Sequence, residues 1–218
     1  MNIMWKSKLV ISLSGLVVFS GILVTAGWVF DIEVLKSILP IWVTMKFTTA
    51  FSFILSGFVL YFVKTGFEQK SDGIQMALTI SILIILLIMV TFLLSSVFNI
   101  RTGVEDFFVR ELEGAIKTST PGRPSIGTMF NFLLVSVIGI FTMYEVKKLA
   151  AKIHFTGFLI LGVGCTAILG YILSVPTMYF LFEGYSSAMA IHTAILFIIL
   201  GTGFIILGKS NINRLNNF

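Results

Sequence analysis

The sequence predicts an all-α, polytopic membrane protein whose six transmembrane helices form three repeated helical hairpins. Three observations predict it. Of 218 residues, 57% are hydrophobic and 11% charged, with a mean hydropathy of +1.03, far above the near-even apolar balance of soluble domains. Six apolar runs are each long enough to cross a bilayer at about 20 residues per crossing. A motif recurs at the start of the second, fourth and sixth runs, the kind of self-similarity that marks repeated units. Residues 1–218 are read as a single membrane domain with repeat units over about 8–63, 74–144 and 153–207.

The first run, Lys8 to Phe30, follows Lys6 and contains Ser12, Ser14 and Ser20. It lacks the short core and small-residue cleavage site of a removable signal, so it is read as a retained span. Asp31, Glu33 and Lys36 make a polar turn. Next, Ile38, Leu39, Ile41 and Trp42 flank Pro40 in a segment too apolar for a solvated loop. An interfacial position is expected, with the Trp42 indole among headgroups. The second run extends from about Met45 to Val63, and Lys46 at its entrance is expected to snorkel outward. Lys64 to Gly73 returns the chain.

The third run, Ile74 to Phe98, is the most uniformly apolar. The longest connection follows, Asn99 to Ser125, in which Val104, Phe107, Phe108, Leu112 and Ile116 recur at helical spacing among Glu105, Asp106, Arg110, Glu111 and Glu113. This pattern predicts an amphipathic helix over about 103–117 lying on the outer membrane face, ended by Thr120-Pro121-Gly122. The fourth run, Ile126 to Tyr144, is closed by Glu145, Lys147, Lys148 and Lys152. The fifth, Ile153 to Val175, carries Gly157, Gly162, Gly164 and Gly170, which permit close helix approach in lipid, and Pro176 ends it. An aromatic connection with Tyr179, Phe180, Phe182, Glu183 and Tyr185 leads to the sixth run, Ala188 to Leu207. A polar tail, Gly208 to Phe218, follows.

Charge orients this arrangement. Nine Lys and Arg share the side of the two termini and six share the other, while the acidic residues divide three against seven. The excess of basic residues marks the cytoplasmic side, so the chain is expected in the cell membrane with both termini cytoplasmic. The net charge of +5 does not point to nucleic acid, because the basic residues sit in short loops and form no surface stripe. Cys165 is the only cysteine. It has no disulfide partner or metal pattern around it and is read as a packing residue.

The recurring motif is clearest in Met189-Ala190-Ile191-His192-Thr193-Ala194-Ile195-Leu196-Phe197, followed by Gly201. Met45 to Phe53 with Gly57, and Pro124 to Phe132 with Ser136, align to it. Thr49, Thr128 and Thr193 then coincide, as do Phe53, Phe132 and Phe197, and Gly57, Ser136 and Gly201. Steps of four residues return to nearly one helix face, so each copy presents a stripe of hydroxyl, ring and small residue. A weaker echo precedes each copy, aligning Gly27 to Ile32 with Ser95 to Ile100 and Gly170 to Val175. A helix pair is thus the repeated unit.

Such a stripe most simply marks a packed core. If the hairpins surround a pseudo-threefold axis, the three rings meet at one depth with the three threonines above them, and a pocket open to the outer leaflet is the functional expectation. His192 stands where the other copies have Thr48 and Gly127, and its titration range suits a proton-sensitive switch. His154 lies at the opposite end of the membrane, roughly 30 Å away, so the two cannot share a metal or haem. Asn131, in mid-motif, is expected to face protein. No carboxylate or lysine falls in the middle of a span, which argues against an ion-coupled transporter. No nucleophile has a placed base. Neither an enzyme nor a cofactor is expected.

At these residues the chain resembles the multi-span N-terminal membrane sensor regions joined to PAS domains, histidine kinases and diguanylate cyclases in bacteria and archaea. Those regions show a Pro, then Asn-Thr-Ala or His-Thr-Ala, then Phe and an apolar run ending in Gly. Met189 to Gly201, with Pro176, Met178 and Tyr179 upstream, matches well. Met45 to Gly57 matches fairly, and Arg123 to Phe132 keeps the Pro121-Gly122-Arg123-Pro124 approach while losing the Asn and Ala. The resemblance implies a sensory input module that answers a membrane or extracytoplasmic signal and passes it to a cytoplasmic partner. The family's output modules do not follow the last span here, so either a free-standing relative or a sensory region without its output is expected. The alternative is a non-catalytic accessory subunit of a larger membrane complex, docked through the Gly-rich fifth span and the aromatic outer loops. Expected partners are the lipid bilayer and a cytoplasmic or membrane protein, not nucleic acid, with homo-oligomer formation left open.

Overall fold

The computed structural model describes residues 3–39, 42–69, 71–106, 109, 111, 116–118, 120–180 and 187–215. It is all-helical, with no strand among the described residues. The helices are α1 (Ile3–Val29), α2 (Glu33–Lys36), α3 (Phe47–Gly66), α4 (Asp72–Phe98), α5 (Ile126–Met143), α6 (Leu149–Ile172) and α7 (Ile191–Leu215), with a 3₁₀ turn at Pro176–Met178. Six of these, all but the one-turn α2, are long and apolar enough to span a membrane, which makes the chain a multi-pass membrane protein in contact with lipid.

The spanning helices form a closed ring in chain order. Each packs on the next, and α1 meets α7 to complete the circuit. The most extensive packing joins α6 to α7, α1 to α3 and α4 to α5. Burial separates two sets. In the most apolar stretches of α3, α5 and α7, 61%, 44% and 56% of residues are buried, against 28%, 39% and 33% in α1, α4 and α6. Helices α3, α5 and α7 therefore make the inner layer, and α1, α4 and α6 shield it from lipid with exposed Leu83, Leu87 and Phe155.

The observed ends differ most at α7, which runs eight residues beyond Leu207. Hydropathy marks where a helix leaves the bilayer, whereas the helix itself continues while its polar side chains find partners. Asn211 is buried and donates to the Leu207 carbonyl at 2.9 Å.

The starts of α1, α4 and α6 and the ends of α3, α5 and α7 lie on one face, here the terminal face, and the opposite ends of these helices lie on the other, the loop face. At the loop face the three outer helices end alike. Asp31, Asn99 and Ser174 adopt positive φ of 55°, 51° and 56°. In each case the next amide donates five residues back, Ile32 to Gly27 at 2.8 Å, Ile100 to Ser95 at 3.0 Å and Val175 to Gly170 at 2.9 Å, the six-to-one bond of a Schellman end. These are the positions aligned by the sequence echo. The inner helices also begin alike, with Ala50, Met129 and Ala194 donating to the carbonyls of Lys46, Ser125 and Ala190 at 3.0, 3.0 and 3.1 Å.

The amphipathic helix expected over 103–117 falls largely outside the described residues, which omit Phe107, Phe108, Arg110 and 112–115. Pro40, Ile41, Phe182, Glu183 and Tyr185 also lie outside them. Gly103–Asp106 forms turns and bends, as do Ile116 and Lys117, and Glu105 and Glu111 are buried. Glu105 and Glu111 are therefore folded inward over the bundle.

Candidate functional site

The residues singled out in the sequence converge at the centre of the inner layer. Phe53, Phe132 and Phe197 are fully buried, and their rings touch one another pairwise. Centroid separations are 4.9 Å for Phe53–Phe132, 4.7 Å for Phe53–Phe197 and 5.0 Å for Phe132–Phe197. Tilted and edge-on aromatic contacts at these distances are favourable beyond the area they bury. One turn toward the loop face, Thr49, Thr128 and Thr193 are each 2% exposed. Thr128 bonds Ser125 side chain to side chain at 2.7 Å, and its amide donates to the same serine oxygen at 3.1 Å.

The small members of the stripe face a different way. A Cβ added to Gly57 would strike Val18 and the Ser14 carbonyl of α1, and one added to Gly201 would lie 2.7 Å from the Leu161 amide nitrogen and 2.8 Å from the Gly157 carbonyl of α6. Gly57 and Gly201 thus let an inner helix touch its outer neighbour backbone to backbone, and the Ser14 hydroxyl donates to the Gly57 carbonyl at 2.9 Å. Ser136 is buried and turns its hydroxyl back to the Phe132 carbonyl. The three rings in contact make this depth a packed core. Asn131 faces protein and links α5 to the Ile160 carbonyl of α6 at 3.2 Å.

Above this core the loop-face connections form a polar cap that the sequence did not announce. Lys46, expected to snorkel into solvent, is instead 3% exposed and pairs with Glu111 at 2.5 Å while donating to Thr118 at 2.8 Å. The second oxygen of Glu111 accepts from the Gly122 amide at 2.6 Å. Burial pushes the Lys46 ammonium below its ordinary pKa, and the adjacent Glu111 carboxylate opposes that fall. The correction has a clear cause: a carboxylate 65 residues away supplies the counter-charge that snorkelling would have sought from water.

A second buried pair lies beside it. Arg123 and Glu105 are 1% and 2% exposed and approach at 3.1 Å. Arg123 also donates to the Ile100 carbonyl at 2.9 Å and to the Ser95 hydroxyl at 2.5 Å. The far oxygen of Glu105 accepts from the Thr102 amide and hydroxyl at 3.1 and 3.0 Å. Burial alone would raise the pKa of Glu105. Hydrogen bonds from its own backbone, Ser95, Arg123 and Thr102 outweigh that effect and hold the carboxyl down at about 2.

The first connection carries its own charged node. Lys36 is buried over the Trp28 ring, 5.0 Å from its centroid, and pairs with Asp31 at 2.5 Å and Glu33 at 2.8 Å. Trp28 donates to the Met45 carbonyl at 2.8 Å. The third connection closes on the second through Ala188, which donates to the Lys117 carbonyl at 3.0 Å, and through Lys117, which donates to the Tyr179 hydroxyl at 2.5 Å. Tyr179 stacks on Tyr171 at 4.1 Å.

Under this cap Thr48 Oγ1 is buried without a partner, and the ring of His192, at the aligned position in the first turn of α7, is buried beside the Lys36 backbone. Thr48 borders a void of about 10 Å³ lined also by Trp28, Lys46, Glu105 and Glu111, room for about one water molecule. His154, by contrast, bonds the Ile205 carbonyl of α7 at 2.9 Å, toward the terminal face. Among the described residues, no group of three or more His, Cys, Asp or Glu is placed to hold a metal.

No protein-family model matches the chain, and no curated protein or solved structure matches it.

Proposed function

We propose that the chain is a sensory input module of the cell membrane, with both termini cytoplasmic, in which the loop-face cap receives an extracytoplasmic or membrane signal and α7 passes the response to a cytoplasmic partner. The observation that carries this reading is the course of α7. It starts beneath the cap with the buried ring of His192, runs through the aromatic centre at Phe197, and continues without a break to Leu215 on the terminal face. A helix of that kind, gripped at one end by interlocked loops, can shift as a unit between two packings. The three matching hairpin ends and starts support descent of the bundle from one repeated hairpin. The count of Lys and Arg supports the orientation: nine belong to the side of the two termini and six to the other.

The alternative reading, an accessory subunit, used the Gly-rich helix for docking. Three of its four glycines are engaged within the chain, Gly157 and Gly164 against α7 and Gly170 against Met178 and Tyr179, and only Gly162 is open.

Spin labels at positions 8 and 209, both exposed, with Cys165 replaced by alanine, test the relay in the full chain. Replacing Lys46 by Met together with Glu111 by Leu loosens the cap without stranding a charge. The distance distribution between the labels is expected to change. An unchanged distribution alongside faster amide exchange in the cap rejects the sensory reading and leaves the accessory one.

A further inference from the structure

The repeat aligns the first turns of α3 and α5, yet of the two only α5 carries a side-chain cap. There the Ser125 hydroxyl accepts from the Thr128 amide at 3.1 Å and bonds the Thr128 hydroxyl at 2.7 Å. Ser125 aligns with Lys46, which stands at the same place before α3 but makes no cap bond, because its ammonium is drawn away to Glu111 and Thr118. Among the amides at the start of α3, that of Ala50 donates to the Lys46 carbonyl. The Thr48 amide, two residues earlier, belongs to the donors that a helix start leaves without an intrahelical acceptor.

The void beside Thr48 lies at this start. Its walls include Trp28, Lys46, Thr48, Glu105, Val109 and Glu111, and Thr48, 3% exposed, brings to it a hydroxyl with no partner. A buried hydroxyl without a hydrogen bond is costly, and a volume of about 10 Å³ suits one water molecule and little else. Charge narrows the occupant further. Lys46 is balanced by Glu111 and Arg123 by Glu105, so an ion of either sign would upset two neutral pairs, whereas a water both accepts and donates. We propose that the void is a binding site for a single water molecule that takes the place of the Ser125 hydroxyl at the start of α3, accepting from the Thr48 amide, bonding Thr48 Oγ1 and donating to a carboxylate of the cap. Three partners are the usual number for a buried water. The water ties the first turn of α3 to the connection that carries Glu105 and Glu111. This inference uses the cap but does not depend on the sensory reading.

Two measurements on the full chain in detergent micelles test it. The first is magnetisation transfer from water to the amide at position 48, read by NMR. A long-lived water contact is expected there in the unaltered chain and also in Thr48→Val, where no exchanging hydroxyl can imitate it. Val109→Leu, which adds a methylene at the wall of the void, is expected to abolish the contact. The second is the sign of the stability change in Thr48→Val, which keeps the shape of the side chain and deletes the hydroxyl. If a water is bound, the valine leaves it one partner short, and the unfolding constant is expected to rise about fivefold, the worth of one hydrogen bond. If the void is dry, the valine removes an unpaired buried hydroxyl, and the unfolding constant stays level or falls. A level or lower unfolding constant, no water contact at position 48, or a contact that survives Val109→Leu overturns the proposal.

Discussion

Lys46 and Glu111 form an ion pair at 2.5 Å in which both side chains are almost fully buried, 3% and 5% exposed. The lysine stands at the start of α3 and the glutamate in the connection between α4 and α5, so this one contact fastens two hairpins across the loop face. Buried charges attract strongly, yet their desolvation offsets much of that attraction, and the two effects separate on mutation.

Removing one partner leaves the other charge buried and unpaired. Lys46→Met or Glu111→Leu is therefore expected to destabilise the fold by about 3–5 kcal/mol, while the double replacement costs far less. Unfolding in mixed micelles of the two single variants and the double variant measures the difference as a double-mutant cycle. Additive losses would show that the two side chains are not coupled.

Glu105 gives the cap a defined acid limit. Its folded-state pKa of about 2 lies below the ordinary 4.5. The folded state therefore binds the proton less readily than the unfolded one, and the stabilisation is present above pH 4.5 and lost as pH falls from there toward 2. Protection of the amides of residues 99–106, measured against the intrinsic exchange rate at each pH, is expected to fall across that window. Glu105→Gln should flatten the dependence, and a steep response that survives the replacement would assign the acid limit to another group.

The spans and the aromatic centre were legible in the sequence because each depends on local periodicity: apolar length marks a span, and a step of four places Thr49 and Phe53 on nearly one face, while the second step turns Gly57 toward α1. The cap was not legible, because Glu105 and Glu111 among apolar residues present the same pattern whether the segment lies on a membrane or folds inward. Their partners decide the matter, and those lie 18 and 65 residues away at Arg123 and Lys46. A faint signal existed, since a basic residue stands just before α3 and again before α5 while the connection between carries the acids. The ring-to-ring distances at the centre were not legible either, because a sequence shows which residues share a face but not how closely three faces approach.

The matched helix ends make a prediction about glycine. Ser174 holds a positive φ of 56°, a conformation that costs a side-chain-bearing residue about 1–2 kcal/mol and glycine almost nothing. Ser174→Gly is expected to raise stability by about 1 kcal/mol. Asp31→Gly relieves the same backbone but removes the 2.5 Å bond to Lys36, so its gain should be smaller or absent. Thermal unfolding of the two variants in one detergent checks the order, and an equal gain at both positions would mean that the Asp31–Lys36 pair adds nothing.

Two glycines test how the inner and outer layers meet. At Gly201 an added Cβ would press on backbone atoms of Leu161 and Gly157, which cannot move without separating α6 from α7; at Gly162 nothing lies within 4 Å. Gly201→Ala is expected to cost about 1–3 kcal/mol through overpacking. Gly162→Ala should instead be neutral or stabilising by about 0.5–1 kcal/mol, from improved helix propensity alone. Displacing α7 also disturbs the ring of Phe197, which touches Phe53 and Phe132. Gly201→Ala combined with Phe197→Leu should therefore cost less than the two changes summed, because the smaller side chain admits the shifted helix. Strict additivity would place the α6–α7 seam and the aromatic centre in separate mechanical units, and α7 would then not move as one body.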